Sequence, residues 1–209
     1  MRMMVLAGGI MMALLMAAGP VWAEDAKENA SQEAEMKKAV TDNPHIEVMN
    51  EKARELAESL TREEAETLGV VRENFGILGS VEVARRNVKE ATGLCADKNE
   101  DMTDEIGARH KSWHDAIGAE LDAQNKNLEQ YITKDYFSDP KQVRAYLDSI
   151  DDAAQYASNS LEKTIITNKD ACRNLLGSMD KTEEVIIGLV KSLEWPHQNA
   201  DDAEEKAAP

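Results

Sequence analysis

The chain has little of what small-molecule chemistry needs. Aromatic residues make up only 4% of it, too few to line a sugar or nucleotide pocket generously. It has two cysteines and no C-x-x-C, which excludes a thioredoxin-type redox pair. Without C-x-x-C-H, covalent c-type haem is excluded as well. G-x-S-x-G, H-E-x-x-H and phosphate-loop patterns are absent. Basic residues number 24 against 40 acids, for a formal charge of −16. That balance lacks the basic footprint of a nucleic-acid binder and disfavours docking on anionic lipid. It favours solubility and can attract basic partners or cations.

What is present begins with an address. Arg2 supplies a positive start, Met3–Ala18 is uncharged and apolar, and Gly19-Pro20 breaks the run. Val21-Trp22-Ala23 then places small residues where a signal peptidase needs them. Residues 1–23 are expected to be a cleaved signal peptide. The run is shorter than the ~20 residues that a spanning helix requires. No cysteine follows the cleavage site, so lipid anchoring is not supported. The methionine-rich segment favours a bacterial periplasm, with secretion as the alternative. Cleavage removes one arginine and no acid, taking the charge from −16 to −17. Asn29-Ala30-Ser31 is read as a chance match to a glycosylation site.

Residues 24–43 read as a flexible acidic leader and 196–209 as a disordered acidic tail. Residues 44–195 between them carry helical signals throughout. Leu68, Val71, Phe75, Leu78, Val81, Val88 and Cys95 step by three, four or seven, as do Met102, Ile106, His110, Trp113, Ile117, Leu121 and Leu128. Leu147, Ile150, Ala154, Ala157, Leu161 and Ile165 repeat the habit, and so do Leu175, Met179, Ile186, Leu189 and Leu193. Such spacing stacks apolar groups on one helix stripe. Asn43-Pro44 and Asp139-Pro140 look like helix starts, and Thr61 with Glu64 fits a capping box. Residues 92–101 read as a loop with Gly93 closing the helix before it. Residues 133–139 read as a second loop. Glycines 76 and 79 weaken the first long helix, and whether they bend or split it is open.

The spans expected are 44–60, 61–93, 102–133 and 140–166. The fold class is therefore all-α: an antiparallel helical bundle of three to four long helices with flexible acidic tails, its faces resembling coiled-coil seams. Helices of about 30 residues run roughly 45 Å. If the first rises to Cys95 and the second descends, a third climbing from Pro140 regains the level of Cys95 near Cys172. An exported protein is expected to oxidise such a pair, so a Cys95–Cys172 disulfide is predicted. After Cys172, two arrangements are open. One is a single long helix. The other is a fold-back after Thr167-Asn168-Lys169-Asp170, favoured because it buries more apolar surface.

His110 and His114 lie four apart on one helix face, a spacing that can grip one metal ion. A third ligand would have to come from another helix. Non-covalent haem would use the same histidine, with Met102 or Met179. A di-iron centre does not fit, because Gly107 and Lys111 stand where glutamates are needed. Asp151-Asp152 and Glu183-Glu184 are neighbours on a helix, point about 100° apart, and read as solvated surface. No catalytic residue and no bound cofactor is predicted. Trp113 reads as core, whereas Trp195 could be core or a partner anchor.

The expected function is non-catalytic binding of another protein through an amphipathic helix face, at residues 175–195 or 44–60, with self-association open. The expected partners include neither nucleic acid nor a lasting membrane anchor. The rivals are a metal- or haem-carrying bundle built on His110 and His114, and a chaperone-like protein that shields unfolded clients.

Overall fold

The computed structural model describes residues 41–133, 136–161 and 167–196. The expected signal peptide, nearly all of the leader and the tail beyond Pro196 lie outside the described residues. The described chain is predominantly helical, with no strand among the described residues. Its helices are α1 (His45–Ser59), α2 (Arg62–Lys98), α3 (Thr103–Thr133), α4 (Pro140–Ser160) and α5 (Lys169–Lys191). A single 3₁₀ turn, Glu100–Met102, separates α2 from α3.

Short polar side chains set the helix starts. At α2, the Thr61 hydroxyl accepts from the Glu64 N–H at 3.3 Å, and the Glu64 carboxylate accepts from the Thr61 N–H at 2.7 Å. This is the reciprocal capping box read from the sequence. At α4, Asp139 accepts from the N–H groups of Lys141 and Gln142, with Pro140 in the first turn. At α5, Asn168 accepts from the Ala171 N–H at 2.9 Å. Helix α1 begins one residue later than the Asn43-Pro44 pair implies, at His45. Asn43 still serves it by accepting from the His45 N–H at 2.9 Å. Its amide also donates to the Ala153 carbonyl at 2.8 Å, which ties the entry of α1 to α4.

The expected end at Gly93 does not occur, and the helix is not split at residues 76–79. Helix α2 runs unbroken through Gly76 and Gly79, and it passes Gly93 to end at Lys98. A glycine inside a helix costs about 1 kcal/mol, while burying one apolar side chain contributes about 1.5–3 kcal/mol. Continuing past Gly93 brings Cys95 into the core, where it is 2% exposed. The chain stops where a side chain can close it: Asn99 donates its backbone N–H and its side-chain amide to the Cys95 carbonyl, at 3.0 and 2.9 Å. The same amide reaches the Thr167 carbonyl at 3.1 Å, next to the start of α5. The expected third long helix is shorter than 140–166, ending at Ser160, and residues 162–166 lie outside the described residues.

Named contacts fix the helix directions. Helices α2 and α3 are antiparallel, meeting near Ala96 and Thr103 at one end and at Arg85 and His114 further down. Helix α5 runs antiparallel to α2. Cys95 and Cys172 form the predicted disulfide at one end, their Cα atoms 5.7 Å apart. Near the other, the Asn74 amide donates to the Glu194 carbonyl at 2.8 Å. Along α3, Arg109 holds Asp180 and Glu183, Glu120 holds Lys191, and Gln124 accepts from the Trp195 indole. The chain therefore folds back after α4, but α5 seats on α2 and α3 and makes almost no contact with α4. Helix α4 packs instead mainly against α1.

One apolar cluster joins the helices, with Val71, Leu78 and Val81 from α2 and Trp113, Ile117 and Leu121 from α3. Leu56 of α1, Val143 and Leu147 of α4, and Leu176, Met179, Ile186 and Val190 of α5 belong to it as well. No helix among the described residues is long and apolar enough to cross a membrane.

Candidate functional site

The sequence singled out His110 and His114, and the structure places them where α2 crosses α3. Their spacing on α3 brings the two rings together, tilted, with centroids 5.6 Å apart. Arg85 reaches over from α2. Its Nη2 lies 2.9 Å from His114 Nε2, 3.2 Å from Nδ1 and 3.2 Å from the His114 carbonyl. Its Nη1 donates to Glu82 at 2.8 Å. Only 11% of the Arg85 side chain is exposed. Gly118 makes the room for it, since a Cβ there would lie 2.9 Å from Arg85 Nη2. Nothing local in the sequence marks this arginine, because its partners come from a helix folded against it.

The cluster is incompletely satisfied. Arg85 Nε, His110 Nε2 and Trp113 Nε1 are buried with no hydrogen-bond partner. Leaving such a group unpaired costs on the order of 1–3 kcal/mol. Burial, followed by the charges of His114, Lys89 and Arg85, holds the His110 imidazole below its ordinary pKa. The shift favours the neutral imidazole, the form that binds a metal. His114, by contrast, has a guanidinium against both ring nitrogens. Among the described residues, no group of three or more His, Cys, Asp and Glu side chains comes together to hold a metal ion. Met102 and Met179, named with haem in mind, are core residues at 3% and 1% exposure.

The other acids hold structure together. Glu64 is buried beside a shallow cavity lined by Thr61, Glu63, Thr67 and residues 136–138. Its two oxygens accept from the backbone N–H groups of Thr61 and Ser138, at 2.7 and 2.6 Å. Those bonds, Thr61 first, lower its pKa to about 2. A carboxylate so occupied is a strut, not a general acid. The adjacent acids form no dyad: Glu183 takes Arg109 at 2.7 Å, and Asp151 accepts from Gln155 at 2.6 Å. Glu184 and Asp152 are exposed.

Trp113 and Trp195 are both internal. Trp113 is 1% exposed and fills the core. Trp195 lies beyond the end of α5, not within it, and is 4% exposed. It stacks on Tyr131 at 5.3 Å and donates its indole N–H to Gln124 at 2.7 Å. It is therefore occupied within its own chain.

The same packing consumes most of the apolar stripe at 175–195. What remains outside is a lateral row along α5 and its C-terminal cap, made of Ser178, Thr182, Val185, Leu189 and Ser192. Val185 is 58% exposed and Leu189 42%. The three hydroxyls donate to carbonyls of their own chain, those of Asn174, Ser178 and Leu189. The row therefore carries no charge and has no free hydroxyl proton. On α1, Val48 is 46% exposed.

No protein-family model matches the chain, and neither does any curated protein or any solved structure.

Proposed function

We propose that this is an exported periplasmic protein, built as an antiparallel helical bundle, that works by binding another polypeptide and catalyses nothing itself. The observation that carries this reading is the uncharged row on α5. On a chain with a formal charge of −16, Val185 and Leu189 stand exposed one turn apart with no charge between them. An i, i+3, i+4 apolar row of this kind is how a helix face enters a partner's groove. Paired cysteines suit an oxidising compartment, which supports export. The acidic remainder of the surface keeps other contacts weak.

The test places a photo-cross-linking residue at position 185 in the native host, with position 122 on exposed α3 as control. The reading expects protein adducts at 185 and none at 122. Equal labelling at both positions, or none at either, refutes it.

A second reading rests on His110, whose Nε2 is buried, unpartnered and beside a second imidazole. A metal or haem carried there would need Arg85 to leave His114. The double variant His110→Ala/His114→Ala, purified from the host, would lose metal content or visible absorbance on that reading. A chaperone-like role would use the α5 row on unfolded clients. It expects apolar-dye binding and suppression of client aggregation, both lost in Val185→Glu.

A further inference from the structure

The partner that the α5 row fits best is a second copy of this chain. We propose that two copies pair antiparallel through Ser178, Thr182, Val185, Leu189 and Ser192, with a two-fold axis at Val185. This rests on the recognition reading above and deepens it by naming the partner.

Spacing is the first argument. About Val185 the row falls at offsets −7, −3, 0, +4 and +7. The row is thus nearly its own mirror in sequence. Turning a second α5 through 180° sets Val185 on Val185, Thr182 near Leu189, and Ser178 against Ser192. A two-fold interface needs one patch that complements itself, and few rows do. The alternating steps of four and three are also those of a left-handed coiled-coil seam. From end to end the row is about 21 Å long.

Charge is the second argument. Two copies at −16 each repel across any acidic face, and the row is where they approach with least repulsion. A basic partner would gain nothing from an uncharged row and would prefer the acidic faces. Along one flank, Lys181 of each copy would lie alongside Gly188 of the other. A side chain added at Gly188 would meet nothing within 4 Å, so the lysine stem has room to pass.

Size is the third. Small hydroxyl residues whose protons are already bound to their own helix let two backbones approach closely without stranding a donor. The neighbouring face of α2 continues the patch. Ile77 and Ala84 are half-buried on one side of that helix. The antiparallel contacts Asn74–Glu194 and Cys95–Cys172 bring this side level with residues 178–192.

The experiment is sedimentation velocity of the purified chain over a concentration series, repeated for Val185→Glu. Thiol cross-linking of single-cysteine additions accompanies it. The proposal expects a monomer–dimer equilibrium that Val185→Glu weakens at least tenfold. Val185→Cys should link to its own copy. Ser178→Cys alone should not, because two copies of that position lie about 21 Å apart. Mixed with Ser192→Cys chains, it should. A monomer at every concentration, a dimer indifferent to Val185→Glu, or failure of Val185→Cys to self-link overturns the proposal. If the chain is monomeric but the photo-adduct at 185 contains a different polypeptide, only the choice of partner fails. No adduct at all removes the recognition reading too.

Discussion

Breaking the Cys95–Cys172 bond should cost this protein a large share of its stability. The bond closes a loop of 77 residues. In the chain-entropy model, such a loop restricts the unfolded chain enough to stabilise the fold by about 4.5 kcal/mol at 25 °C. Whole domains of this size are stable by roughly 5–15 kcal/mol. The loss acts at a joint where three segments meet. Asn99 links the end of α2 to Thr167, and Cys172 lies in the first turn of α5. With a urea slope of about 2 kcal/mol per molar, the midpoint should fall by about 2 M. The assay is urea unfolding followed by circular dichroism, for the oxidised chain, the reduced chain and Cys95→Ser/Cys172→Ser. The reduced chain and the double variant should agree, because both act by freeing the unfolded state. Hydrogen exchange should also show the first turn of α5 losing protection before the centre of α3. A midpoint shift under about 0.5 M would refute the reasoning, since it would mean the unfolded chain gains little freedom when the bond is cut.

Three further outcomes follow from the packing. Gly107→Ala, where a Cβ meets nothing within 4 Å, should stabilise α3 by up to ~1 kcal/mol. Gly118→Ala, on the same helix, should gain less or destabilise, because its Cβ would displace Arg85 from His114 and Glu82; equal thermal shifts for the two variants would refute the role given to Arg85. Trp113→Ala should cost about 3–5 kcal/mol in chemical denaturation, as expected where a 1%-exposed tryptophan leaves a cavity. The Glu64 carboxyl titrates at about 2 in the fold and near its ordinary, higher value in the unfolded chain, so the unfolded state binds more protons between the two. The stability it contributes is present above about pH 4.3 and is lost as pH falls toward 2. Glu64→Gln should flatten that part of the stability–pH curve, and an unchanged slope would remove Glu64 from the acid response.

Some of this architecture could be read locally, because its causes are local. Thr61 and Glu64 lie three apart and cap one another whatever else the chain does. Asp139-Pro140 starts a helix for the same reason. The disulfide followed from helix lengths together with the expected oxidising compartment, since rods joined by short turns bring their ends to a common level. The turn before α5 was legible as one of two arrangements, but not which helices α5 would lie upon. Asn168 fixes where the helix begins and says nothing of its neighbours.

Gly93 shows where local reading fails. Its weak helix propensity predicted an end, and long-range burial of Cys95 carried the helix five residues further, to Lys98. The candidate histidines show the same limit. Four-residue spacing put His110 and His114 on one face, yet their chemistry depends on Arg85 and on the absence of a side chain at Gly118. No window of sequence contains both. The stripe at 175–195 divides in the same way. Periodicity grouped Leu189 with Met179 and Ile186, while packing against α2 and α3 buried the latter two and left Leu189 outside beside Val185.

The sequence by itself determined that the chain is helical, where its capped helices begin and which cysteines pair, because those depend on neighbours a few residues away or on rod lengths. Only the tertiary structure decided which face of α5 stays exposed and which cation lies against His114. Those depend on contacts between helices distant in sequence, and one helix's pattern of apolar residues is compatible with several of them.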